Sequence, residues 1–322
     1  MNDLAAYNLA VEQEINEIDF PLYPSNLYDP LRYFMKLGGK RIRPLLTLLG
    51  TELFGNNKES ALHAAVAIEV FHNFSLIHDD FMDEAPLRRN QETVHVKWNN
   101  NIALLSGDVL LVKAYQLLAK QKNEHLPDLL HLFNKTAIEV CEGQQMDMDF
   151  ETRSDVSIEE YVEMIRLKTS VLLGCALEMG GIIANASASD CQLIYDFGQH
   201  IGIAFQIQDD ILDLYANPEK FGKQVGGDVI ANKKTLLNLK AFELANLAQK
   251  EILNQLSTEN DLNFKVNKTR ELFEQLGARA ACEKMMKEHY SLAMKALNEI
   301  VVDDISKQPL ISLADFLMMR EV

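Results

Sequence analysis

The chain has 322 residues, 48% of them apolar, and 31 basic against 47 acidic residues leave a net charge of −16. That length is enough to bury a large core. The acidic balance, with a sequence pI near 4.9, excludes a general nucleic-acid binder and an anionic membrane surface as main partner, because both require a basic face.

The opening stretch MNDLAAYNLAVEQEINEIDF has no basic segment followed by an apolar one, so no secretory signal is expected. NLYDP (26–30) and FGNN (54–57) read as breaks, and between them GGKRIRP (38–44) groups Lys40, Arg41 and Arg43. Residues 61–78 repeat apolar positions at three- and four-residue steps and predict a helix that runs into LIHDDFMDEAPLRR (76–89). The segment from Glu84 to about Asn101 reads as irregular. Helical periodicity returns over 103–118, 158–185 and 191–215. ANPEKFGKQVGGD (216–228) is a further break, and STENDLNFKVN (257–267) reads as a loop between C-terminal helices. No alternating strand pattern with hairpin turns stands out. No run of about 18 apolar residues does either, so no membrane span is expected. Proline is absent from 128–217 and 219–307, which favours long helices. The four cysteines lack paired spacing and read as free thiols in a cytoplasmic protein. The fold class expected is all-α, with residues 1–322 forming a single domain.

Chemistry enters at the acids. Asp79, Asp80 and Asp83 stand at i, i+1 and i+4, and FQIQDDILD (205–213) repeats that spacing with Asp209, Asp210 and Asp213. On a helix i and i+4 share a face, where like charges repel. Two such clusters in apolar helices point to an offsetting divalent cation. Carboxylates suit magnesium, which prefers a few of them together with substrate phosphates. The pair of clusters predicts one phosphate group clamped between them. Candidate phosphate ligands are Lys40, Arg41, Arg43, Arg88, Arg89, Lys168, Lys223 and Lys233. His72 lies two helical turns before Asp79, on the same face, whereas His78 points away from it.

An ordered set of motifs resembles the trans-prenyltransferases, the polyprenyl diphosphate synthase family. It comprises GGKRIRP (38–44), FHNFSLIHDDFMDEAPLRR (71–89), ETVH (92–95), SGDVLL (106–111), EGQQMD (142–147), KTS (168–170), FQIQDDILD (205–213) and GKQVGGD…NKKT (222–235). The resemblance implies an all-α bundle around a deep cavity, the isoprenoid synthase type, in a cytoplasmic homodimer. It implies condensation of an allylic diphosphate with isopentenyl diphosphate and release of pyrophosphate, with more than one magnesium ion. Asp79, Asp83, Asp209 and Asp213 correspond to the metal ligands, and Asp80 and Asp210 to their neighbours in catalysis. Arg88, Lys168, Thr169, Gln206, Lys223 and Lys233 correspond to the allylic diphosphate site. Lys40, Arg43, His72 and Arg89 correspond to the isopentenyl diphosphate site. Asn90 and Asn232 stand where glycine is common in relatives, and asparagine tolerates the left-handed conformation.

Product length is read from the helix before Asp79. Phe71, Ser75 and Asp79 form one stripe, and Phe74 lies about 7.5 Å along the axis from Asp79. A bulky residue at that position goes with short products in this family. The expected product is geranylgeranyl diphosphate (C20), with farnesyl diphosphate (C15) as the alternative. A terpene cyclase would lack the second acidic motif and GGKRIRP, and a non-catalytic synthase subunit would lack one acidic cluster. Neither description fits.

Overall fold

The computed structural model describes residues 2–216 and 225–319, and nearly all of their regular structure is helical. Two compact units emerge, one of Met1–Lys135, Cys175–Tyr195 and Val302–Lys307, the other of Thr136–Gly174, Asp196–Val301 and Gln308–Val322.

In the first unit α1 spans Asn2–Asn16, α2 Ser25–Met35, α3 Ile42–Leu53 and α4 Leu62–Met82. Pro30 was expected to break the chain, yet it lies inside α2. It forfeits one backbone hydrogen bond, and burial of Pro30, Leu31, Phe34 and Met35 offsets the loss. The FGNN break is real: α3 stops before Phe54, and Gly55 takes φ 77°. Apart from His63 and Glu69 the first half of α4 is apolar, the mark of a buried helix, and Ala64, Ala65, Val66, Ala67, Ile68 and Val70 are wholly inaccessible.

A two-residue antiparallel pair, β1 (Leu87–Arg88) with β2 (Gln91–Glu92), follows α4 where no strand was expected. Its turn residues Arg89 and Asn90 have φ 53° and 62°. That is the type I′ pattern, which suits the right-handed twist of a hairpin. Next come α5 (Val94–Lys97) and α6 (Asn100–Leu118). Asn99 caps α6, its side chain accepting from the Ile102 N–H.

α7 covers Leu126–Thr152 and α8 Ile158–Ile165. A π-helical turn, Arg166–Ser170, then joins α8 to α9 (Val171–Ile183), so the long helix expected over 158–185 carries a register shift. α10 spans Ala188–Tyr215. In the first unit α3 and α9 cross closely. A Cβ on Gly50 would lie 2.5 Å from the Leu177 carbonyl oxygen, and one on Gly180 would lie 2.4 Å from that of Thr47. This crossing anchors α3 behind the GGKRIRP turn.

The second unit adds α11 (Gly227–Ile230), α12 (Leu236–Leu244), α13 (Leu247–Ser257), α14 (Leu262–Leu276), α15 (Ala278–Glu299) and α16 (Asp304–Met318), the last reaching it from Gln308 onward. The loop expected over 257–267 is shorter than its polarity suggested. Asp261 accepts from the Phe264 N–H and starts α14 at once. Ile203, Ile207, Ile211 and Leu214 of α10 pack with Tyr161, Leu236, Leu237 and Phe273 in this unit's core.

Two stretches, Lys58–Met82 and Asn100–Leu118, are long and apolar enough to cross a membrane by length and composition, contrary to expectation. The most apolar window of the first is 67% buried inside the protein and that of the second 39%. A core helix of a soluble protein meets the same criterion.

Candidate active site

In the first unit α4 sets the geometry. Asp79 is half-buried, Asp80 is 1% exposed, and Asp83 caps the exposed helix end with its backbone N–H on the Asp79 carbonyl. Adjacent residues on a helix point about 100° apart, so the two neighbouring acids part company. Asp80 turns to Arg88, whose Nε donates to both carboxylate oxygens at 2.8 Å and whose Nη2 lies 2.8 Å from one of them. Burial pushes the Asp80 carboxyl up, and Arg88 opposes the shift. The structure therefore makes Asp80 the holder of Arg88.

One guanidinium lies directly on His72, and three more act on it through charge. Arg43 Nη1 lies 3.2 Å from His72 Nε2. Burial first, then the charges of Arg43, Arg89, Arg88 and Arg41, drive the imidazole well below its ordinary range, so it is neutral at pH 7. Arg89 lies against Gly39: a Cβ there would sit 2.9 Å from Arg89 Nη2. Lys40 is exposed on the same turn. The buried Nε of Arg43 has no partner, and an unpaired buried donor is costly unless something comes to meet it. His72, Arg43, Arg89 and Lys40, drawn from two motifs, thus lie in one neighbourhood. His78 packs on Gly107 and meets the Leu104 carbonyl at 3.1 Å, a structural role as expected.

Phe71 and Phe74 lie farther back on α4, both buried, with ring centroids 5.5 Å apart. Phe71 also meets Phe133 at 5.1 Å, edge to face. Ser75 turns its hydroxyl onto the His72 carbonyl.

In the second unit Gly202, Gln206, Asp209 and Asp213 recur at helical spacing along α10. A Cβ on Gly202 would lie 2.7 Å from the Ser170 backbone, so α10 rests against the π-helical turn. That turn presents Lys168 and Thr169. Thr169 Oγ1 donates to Gln206 Oε1 at 3.3 Å, joining two predicted residues 37 positions apart. Lys168 Nζ donates to Asp147 Oδ2 at 2.6 Å. EGQQMD stood out as a motif, but its Asp147 was given no role in the sequence reading. π-helical turns inside helices mark functional sites, because one extra residue re-aims the side chains that follow.

Asp210 turns inward, as Asp80 does. It accepts from Tyr161 Oη at 2.5 Å and from the Leu236 N–H at 3.1 Å. Its carboxyl is pushed up to about 7 by burial, with Asp228 and Asp209 adding to the shift against the bond from Tyr161. Asp213 accepts from the Asp228 N–H at 3.0 Å. Lys233 is exposed just after Asn232, whose φ of 54° bears out the left-handed reading. Lys265 clamps this loop. Buried in α14, it donates to Asn232 Oδ1 at 2.8 Å and to the Ile230 and Ser257 carbonyls. No motif marked it. Lys223 lies outside the described residues.

Comparison with known proteins identifies the family. The polyprenyl synthetase family model matches residues 24–276. A short chain isoprenyl diphosphate synthase of Methanothermobacter thermautotrophicus is 36% identical over 322 residues, covering 100% of this chain and 98% of that protein. A geranylgeranyl diphosphate synthase of Methanosarcina mazei is 44% identical over 235 residues, 72% of each. A crystal structure of a geranylgeranyl pyrophosphate synthase superposes with a TM-score of 0.94 at 44% identity, covering 100% of both chains. With this likeness running from end to end, the chain belongs to the polyprenyl synthetase family.

Proposed function

We propose that the protein is a short-chain trans-prenyltransferase that joins isopentenyl diphosphate to an allylic diphosphate and makes geranylgeranyl diphosphate. The carrying observation is Arg43 set 3.2 Å from His72 and Arg89 set against Gly39 of the GGKRIRP turn, beside the helix that ends in Asp79 and Asp83. Guanidiniums so placed suit a multiply charged diphosphate. The relatives named geranylgeranyl diphosphate synthases support C20 over the C15 alternative.

Asp79 and Asp83 of the first unit, and Asp209 and Asp213 of the second, offer the hard oxygen donors that magnesium takes and would hold it in this reading; among the described residues no three such side chains already form a metal cluster. Bound there, magnesium supplies neutralisation of charge on the departing pyrophosphate. Arg88, Lys168 and Lys233 add fixed positive charge at the same leaving group, and Thr169 and Gln206 orient it. The allylic C–O bond breaks and its electron pair leaves with pyrophosphate. The double bond of isopentenyl diphosphate, held by Lys40, Arg43, His72 and Arg89, attacks the allylic cation. A proton then passes to the released pyrophosphate and the new double bond forms. The cation survives only in a dry pocket, which the apolar face of α4 helps to supply.

A cytoplasmic homodimer belongs to the same proposal. The apolar side chains Leu104, Leu105 and Val112 that α6 exposes support the dimer.

The purified chain alone, given isopentenyl diphosphate, an allylic starter and magnesium, should release pyrophosphate and yield a C20 product by chromatography. A chelator should abolish turnover and added magnesium restore it. Absence of turnover with any C5, C10 or C15 starter would reject the reading.

Phe74→Ala tests the floor. With Phe71 and Phe133 still in place behind it, removal of the ring deepens the pocket, and the main product should lengthen beyond C20. An unchanged product would clear Phe74 of that role.

A further inference from the structure

Arg41 is the cation of GGKRIRP that points away from solvent. It holds φ 49° and ψ 37° at the start of α3, a left-handed conformation that costs an L-residue energy. Its guanidinium is almost wholly buried. Nη1 donates to Glu69 Oε1 at 2.6 Å, and Nε donates to Glu12 Oε1 at 2.7 Å. Glu69, on α4, is equally buried, whereas the Glu12 side chain is 40% exposed. Asn73 Nδ2 donates to the Glu69 carbonyl at 2.7 Å and reaches Oε1 at 3.3 Å.

A buried ion pair seldom stabilises a protein more than apolar packing would. Here it coincides with a strained backbone, and the combination sits directly under the diphosphate-binding side chains. Of the two acids on Arg41, Glu69 alone also acts on Arg43 and Arg89, raising the proton affinity of both. Burial has brought Arg43 down to about 10. The charged and titratable groups around it are Glu69 and His72 on α4, Arg88 and Arg89 on the hairpin, and Arg41 and Lys40 on its own turn.

We propose that Glu69 is a positioning residue of the isopentenyl diphosphate site: held by Asn73 and bonded to Arg41, it fixes onto α4 the turn that carries Lys40 and Arg43. This rests on the reading of Lys40, Arg43, His72 and Arg89 given above. Without Glu69, Arg41 loses its buried anion and the turn loses the bond that holds Arg41 left-handed. The acid touches no substrate. It acts only through the cations.

The test is steady-state kinetics of the full chain with both substrates varied. Glu69→Gln should raise KM for isopentenyl diphosphate about tenfold or more, as loss of a hydrogen bond to a charged group does, and leave that for the allylic diphosphate little changed. Glu12→Gln should leave both KM values near wild type, since Glu12 holds Arg41 but not Arg43 or Arg89. Glu69→Asp keeps the charge on a shorter arm; it should show a smaller rise in KM for isopentenyl diphosphate, and it serves should Glu69→Gln not fold. Both KM values rising together, equal effects of the Glu12 and Glu69 substitutions, or an unchanged KM in Glu69→Gln would overturn the proposal. A wild-type chain that does not consume isopentenyl diphosphate would instead overturn the functional reading on which it rests.

Discussion

Gly143→Ala should cut kcat about a hundredfold, the scale set by misplacing a reacting group by roughly 1 Å. Gly143 lies in the middle of α7. A Cβ there would sit 2.3 Å from the Lys168 backbone nitrogen and 2.7 Å from its Cα. Those are backbone atoms of the π-helical turn and cannot swing aside as a side chain would. The turn must retreat, and with it Lys168 and Thr169. The Lys168–Asp147 pair and the Thr169–Gln206 bond are then strained or lost together. Alanine is the better helix former by about 1 kcal/mol, so local propensity works against the damage and cannot cause it. Steady-state turnover at saturating substrates, compared with Lys168→Ala, is the measurement. Wild-type kcat in Gly143→Ala would show that the turn yields without harm, and that its register does not set the place of Lys168.

The second large effect is expected at Arg88. Arg88→Ala strands the buried carboxylate of Asp80, at a cost of about 3 kcal/mol in folding stability, because removing one partner of a buried pair leaves an uncompensated charge. Turnover should also fall, by about 10²–10³-fold, if Arg88 stabilises the leaving pyrophosphate as a preorganised donor. The two losses separate in a double variant. Arg88→Ala with Asp80→Asn removes the stranded charge, so most of the stability should return while turnover stays low. Denaturant melts and steady-state kinetics on the same three proteins decide it. Recovery of turnover in the double variant would mean that Arg88 serves only to satisfy Asp80.

Much of the protein was legible without coordinates. The apolar periodicity of 61–78 and 191–215 became α4 and α10, because burial on one or more faces leaves a 3.6-residue signature whatever the partner. Arg43 with His72 and Thr169 with Gln206 came from separate motifs and were placed in shared groups by resemblance; the structure joins each pair by direct contact. The misreadings were local signals that packing overrode. Pro30 stayed helical because its helix buries a strong apolar face. The polar stretch after Ser257 became helix because Asp261 caps it. The hairpin at Arg88 was missed because two-residue strands are too short to alternate.

What the sequence determined by itself was the inventory: two acidic triplets at helical spacing, and the cations that answer them. Spacing places Asp79 with Asp83, and Asp209 with Asp213, since residues four apart share a face. It is silent about the remaining acid of each triplet. Only the tertiary structure turned Asp80 onto Arg88 and Asp210 onto Tyr161 and the start of α12. Likewise only the fold set Arg41 on Glu69 and Glu12, partners 28 and 29 residues away. The reason is geometric. A helix fixes angles between its own side chains, but which of those angles faces protein and which faces substrate depends on the neighbours that long-range packing brings.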